Sequence, residues 1–145
     1  ISRSASAAEN LFGLIRVGDG KTLSITNCKA QIKDGRLDIS DPAKTSTLSG
    51  GRSSNTAGAM IHLNTNSKLK LYGVEVSNNV TSSSNTSGWG AGAVLACNTG
   101  IDMDIAYCAF CGNRSNTTNG GAITIRGGTT NIRNTVFLLI RGHTG

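Results

Sequence analysis

Residues 119–128 read NGGAITIRGG, an alternating run of Ala122, Ile123 and Ile125 with Thr124 and Arg126 interleaved, bracketed by paired glycines. Such a run is either one strand of an isolated hairpin or one tooth of a repeat. The chain contains its relatives. TAGAMIHLN (56–64) and GAGAVLACN (90–98) share a small–Gly–Ala–apolar core with GGAITIRGG (120–128), and Gly58, Gly92 and Gly121 stand 34 and 29 residues apart. Thirteen residues beyond the first two of these glycines lie Leu71, in LKLYGVEVSNN, and Ile105, in MDIAYCAFCGN. TNIRNTVF fits the third unit if its turn is two residues shorter, and a fainter copy, LIRVGDGKTLSITNCKAQI, occupies 14–32.

Each unit holds a first strand, a Gly/Asn/Thr turn, a second strand and an Asn-bearing corner, with variable polar loops such as VTSSSNTSGW and RSNTTN between units. The clearest units span 57–79, 91–113 and 120–137, within one domain over 1–145. Self-similarity at this period marks a stack in which no unit buries its apolar face alone. Leu69/Leu71, Met103/Ile105 and Ile123/Ile125 alternate with polar neighbours, which sends one face inward and the other to water. Short strands joined by corners where Gly or Asn supplies a positive φ predict an all-β fold, a right-handed parallel β-helix (solenoid) of about four to five coils with polar loops. An antiparallel sandwich is the competing architecture, and the tight Asn-Gly hairpin turns it uses are lacking.

Composition agrees. Glycine, 19 of 145 residues, is present at roughly twice its average share, and the runs of Ala, Leu, Glu and Lys that build helices are missing. Fourteen basic residues against eight acidic ones give a net charge of +6, which permits attraction to polyanions. The bases are scattered along the sequence without an aromatic stripe, so no specific nucleic-acid partner is expected. No apolar run approaches the roughly 18 residues of a membrane helix, so no membrane span is expected. The chain begins at Ile1 with no signal-peptide pattern, which reads as a processed product or a fragment.

GGAI (120–123), with FCGN (110–113) before it, resembles the paired GGA[ILV] and FxxN tetrapeptides of polymorphic outer-membrane-protein-type repeats; AGAM, AGAV and VSNN are degenerate copies. The resemblance covers roughly residues 57–137. It implies a β-helical passenger of a surface adhesin or autotransporter, extracellular or on the cell surface, meeting a surface protein or glycan. It transfers no binding residue. FLLIRGHTG departs from it where the third unit should offer an Asn corner.

Candidate chemistry is sparse. Cys108 and Cys111 have the Cys-x-x-Cys spacing of a redox or half-zinc motif, but residues three apart on a strand point to opposite faces. The expectation is a buried small hydrophobe for at least one, no metal and no cofactor; Cys28 and Cys97 complete the set, and a disulfide from Cys97 to Cys108 or Cys111 stays open. His62, between Ile61 and Leu63, is expected to face solvent, and His143 is the other histidine. Asp102 and Asp104 flank Met103 on one outer face, as a glycan-cleaving carboxylate pair would; charged positions on a solvated strand are the commoner reading, with Arg126 and Arg133 offsetting them from the next coil. GDGK (18–21) lacks the phosphate-loop frame, and the threonines Thr124, Thr129 and Thr130 do not repeat from unit to unit as an ice-binding array requires. Asn79, Asn85, Asn113 and Asn116 each begin an N-x-[ST] sequon, glycan acceptors if the source is eukaryotic. Val136, Phe137, Leu138, Leu139 and Ile140 form an apolar run where a solenoid needs a polar end, and are expected to cap the stack or to pair with another copy. The functional expectation is an extracellular structural or adhesive module without catalysis. The alternatives are a filament subunit stacking through its terminal coils and a glycan-active β-helix enzyme.

Overall fold

The computed structural model describes residues 13–53, 58–82, 90–96, 98–116 and 120–142. The chain is all-β and winds through about four coils of a parallel β-helix. The first coil contains β1 (Ile15–Val17), β2 (Thr22–Thr26), a two-strand insert of β3 (Ile32–Lys33) and β4 (Arg36–Leu37), then β5 (Ser46–Ser49) and β6 (Arg52–Ser53). The second contains β7 (Ile61–Leu63), β8 (Lys68–Tyr72), β9 (Val74–Ser77) and β10 (Val80–Thr81). The third repeats this as β11 (Val94–Ala96), β12 (Asp102–Ala106), β13 (Ala109–Cys111) and β14 (Arg114–Ser115). The fourth holds β15 (Ile123–Ile125), β16 (Thr129–Arg133) and β17 (Val136–Leu138).

Among the described residues, equivalent strands stack in parallel as four sheets, ordered β1-β7-β11-β15, β2-β8-β12-β16, β5-β9-β13-β17 and β6-β10-β14, and only β3 and β4 pair antiparallel. Register turns the alternation into ladders. Ile25, Leu71, Ile105 and Ile132 form one column, Leu23, Leu69, Met103 and Thr130 another, and Leu48, Val76, Phe110 and Phe137 a third. Leu69, Met103, Ile105, Val76 and Phe110 are fully buried, each worth about 1.5–3 kcal/mol of transfer. Phe110 and Phe137 stack with centroids 5.1 Å apart. The two-residue shortening expected of the third unit is observed, since Ile132 pairs with Ile105.

One register differs from expectation. Gly58 bridges to Ala91, not Gly92, and Ile61 pairs with Val94, while the next coil keeps the expected phase through Ala91 and Gly120. Ala, Gly and Ala occupy neighbouring positions here, so sequence similarity alone could slide by one.

The corners are built from left-handed residues. Gly50, Asn78, Gly112 and Leu139 follow β5, β9, β13 and β17 respectively, with φ between 52° and 71°. Glycine and asparagine adopt this conformation readily, whereas for Leu139 it costs about 1–2 kcal/mol. Next to this corner the amide of Asn113 does the work of a core hydrogen-bond relay. Its Oδ1 accepts from Asn79 N (3.2 Å) and Asn79 Nδ2 (2.9 Å), and its Nδ2 donates to Val76 O (2.7 Å). Asn79 in turn accepts from Gly51 N (2.8 Å) and donates to Leu48 O (3.3 Å). The ladder ends at the fourth coil, where Ile140 packs against the core instead.

Candidate functional site

The widest solvent-facing array lies on the sheet β2-β8-β12-β16, because its strands are the longest and alternate most regularly. Three outward columns run across the coils: Thr22–Lys68–Asp102–Thr129, Ser24–Lys70–Asp104–Asn131 and Thr26–Tyr72–Ala106–Arg133. They enclose a shallow groove of about 320 Å³ lined by Ser24, Thr26, Lys70, Leu71, Tyr72, Asp104, Ala106 and Arg133. Tyr72 is 41% exposed, and Tyr107, held at φ 50° in the next corner, meets it edge to face at 5.5 Å. The groove thus offers an aromatic platform, hydroxyls and an ammonium, Lys70, that forms no ion pair among the described residues.

Both candidate carboxylates sit on this face, and each is drawn toward a base on an adjoining coil. Asp104 accepts from Arg133, with Asn131 Nδ2 at 3.5 Å, while Asp102 lies 3.8 Å from Lys68. The hydrogen bond to Asp104 also raises the Arg133 pKa. These pairs are half-exposed, so solvent screens them and they add little to stability. Arg133 occupies its expected place; Arg126 does not, lining instead a hollow with Thr65, Asn98, Thr99 and Gly127 at another corner.

Other candidates are separated. Cys108 lies in the core and Cys111 is half-buried, in register with Ser77 and Leu138. Burial pushes both thiols up, and for Cys111 the nearby Glu75 adds to the effect. The Cys108 thiol donates to Ala106 O at 3.3 Å. Cys28 is exposed; Cys97 and His143 fall outside the described residues, as does Asn85. Among the described residues no three His, Cys, Asp or Glu side chains converge on a point that could hold a metal, and no helix is long and apolar enough to cross a membrane.

Three expectations are corrected. Asn79 and Asn113 are 0% exposed and committed to the internal ladder, so the folded coil does not present them as glycan acceptors; Asn116 is exposed. Of the two roles expected for 136–140, the cap is not what Val136–Leu138 forms: it is an ordinary rung on β13, which leaves pairing with another copy as the other role. His62 is only 8% exposed, because its outward column, Arg16–His62–Leu95–Thr124, belongs to a sheet covered on both faces in its middle coils.

Burial, reinforced by the Arg16 charge, lowers the His62 pKa. The unfolded chain therefore takes up this proton first as pH falls through about 6.5, and stability is lost from there down toward the folded value. We expect a lower melting temperature at about pH 5.5 than at about pH 7. His62→Leu, which copies Leu95 one coil away, should flatten that dependence; an unchanged pH profile in the variant would refute the assignment.

The sequence reading missed Tyr72 and Tyr107, although Tyr72 stood at the outward phase of the strand that carries Leu69 and Leu71. Compared with family models, curated proteins and solved structures, the chain matches none of them.

Proposed function

We propose that the chain is an extracellular structural or adhesive β-helical module that binds a surface glycan or protein through the Tyr72 groove and performs no catalysis. The observation that carries this reading is the face itself. Four coils align an aromatic platform, hydroxyls and Lys70 in one groove, while its carboxylate Asp104 is engaged by Arg133. Tetrapeptides like those of polymorphic outer-membrane-protein-type passengers support the same reading, since surface display suits a rigid rod with a decorated flank.

A filament subunit is the second reading, and it has its own support. The inward ladders of the fourth coil are open: Ile125 is 44%, Ile132 37% and Phe137 44% exposed. An edge of this kind can accept a matching coil in a heterologous, non-closing contact.

One experiment separates the readings. The purified chain is applied to arrays of surface glycans and matrix proteins while sedimentation and electron microscopy follow its assembly. We expect binding by monomers, weakened about tenfold by Tyr72→Ala, as for loss of an aromatic anchor from an interface. Binding that requires filaments, and disappears with deletion of 136–140, would move the function to the open end. Polysaccharide turnover abolished by Asp102→Asn or Asp104→Asn would overturn the non-catalytic reading.

A further inference from the structure

A second groove lies on a different sheet, β6-β10-β14. Its outward column is Arg52, Val80, Arg114 and Arg141, one residue per coil, set in register by strand pairing and by the Arg114–Arg141 bridge. The groove measures about 330 Å³ and is completed by Asn78, Gly112 and Leu139. All three arginines are exposed. Among the described residues no acidic one lines the groove, and none of the three guanidinium groups forms an ion pair.

Three like charges in one column repel each other, so a fold that holds them there leaves a positive stripe unbalanced. The backbone beneath them is fixed. Val80 N donates to Gly51 O, Arg114 N to Asn79 O and Arg141 N to Asn113 O, so every step of the column hangs from the buried asparagine ladder or its glycine end. Parallel strands lie about 4.8 Å apart, which places Arg114 one step from Arg141 and about two steps from Arg52. A guanidinium engages a carboxylate or sulfate by two parallel hydrogen bonds. The column therefore matches a ligand that carries anionic groups at intervals along an extended chain.

We infer that the Arg52–Arg114–Arg141 column is a binding site for a linear acidic polysaccharide lying along the solenoid axis. The rest of the lining favours a sugar over a nucleic acid. Single-stranded nucleic acid is held by aromatic rings that stack on its bases, and among the described residues that line this groove there is none. Instead Val80 and the 84% exposed Leu139 give apolar contact for pyranose C–H faces, and Asn78 offers an amide for hydroxyls. The site is separate from the Tyr72 groove, so either can fail alone.

The test is calorimetric titration of the whole chain with a heparin oligosaccharide, at low and at high salt. Arg114→Gln should weaken binding about tenfold, and the Arg52→Gln/Arg114→Gln/Arg141→Gln combination about a hundredfold or more, as expected when charged hydrogen bonds are removed. The hairpin variant Lys29→Gln/Lys33→Gln/Arg36→Gln removes the same charge elsewhere and should change affinity less than about threefold. Tyr72→Ala should leave heparin binding intact while weakening the partner found on the arrays. Circular dichroism matching the parent confirms that these exposed replacements leave the fold in place. Absent heparin binding, or equal losses from the column and hairpin variants, would overturn the inference. Single-stranded DNA of matched charge that binds as tightly, with the same arginine dependence, would reassign the site to nucleic acid.

Discussion

Ile105→Asp should leave the chain unfolded. Ile105 is fully buried between Leu71 and Ile132 in the central ladder, with Met103 on the same inward face of its strand. Every neighbour in that column is aliphatic, so a carboxylate there has no base to meet and no water to keep. An uncompensated buried charge costs about 3–5 kcal/mol, on top of the lost isoleucine burial, against a total stability of about 5–15 kcal/mol for a typical domain. The same substitution one coil later, Ile132→Asp, supplies the comparison. Ile132 is 37% exposed, its carboxylate can reach solvent, and the variant should remain folded with a modest loss. Circular dichroism and sedimentation of the two variants decide the matter. A soluble, β-rich Ile105→Asp protein would mean that the inside and outside of the coil have been exchanged.

That contrast also shows which part of the fold was legible. Alternation within a strand identifies its inward residues, and the unit spacing brings Leu71, Ile105 and Ile132 into one column without any structure. It does not say what stands on either side of an outward residue. His62 was expected in water because Ile61 and Leu63 point in. Its burial arises from Arg16 and Leu95, its partners in the coils on either side, and from cover over the middle of that sheet. Asn79 and Asn113 carried two competing sequence signals, a glycosylation sequon and the last position of an FxxN-like tetrapeptide. The folded coil does not display them as acceptors, because that position turns inward and three buried backbone or amide groups are bonded to Asn113.

The arginine column was missed for a related reason. Along the sequence its members look scattered; counted from the corner of each unit, Arg52, Val80, Arg114 and Arg141 share one phase, immediately after Gly51, Asn79, Asn113 and Ile140. In a solenoid, charge clusters by phase rather than by sequence distance, and a charge count along the chain averages that clustering away. The Tyr72 groove has the same origin, with its polar columns drawn from residues a full coil apart.

Asn113→Leu, a substitution that changes no charge, should cost the fold several kcal/mol. Leucine fills much of the same volume but offers neither donor nor acceptor. Asn79 N, Asn79 Nδ2 and Val76 O would each lose a partner inside a region closed to water. At about 1–3 kcal/mol for each buried group left unpaired, with partial rescue as Asn79 reorients, the expected loss is about 3–5 kcal/mol. That corresponds to a melting temperature lower by about 10 °C or more for a chain of this size. Replacing Asn116, exposed just past the same corner, by leucine should shift melting by less than about 2 °C. Any Asn113→Leu protein that still folds should also bind heparin more weakly than the parent. Asn113 O receives the Arg141 amide, and Asn113 itself precedes Arg114 in the chain, so a disturbed ladder misplaces two of the three guanidinium groups. Unchanged melting would show that the asparagine relay contributes nothing to the corner. Reduced melting with intact heparin affinity would show that the relay stabilises the coil without positioning the arginines.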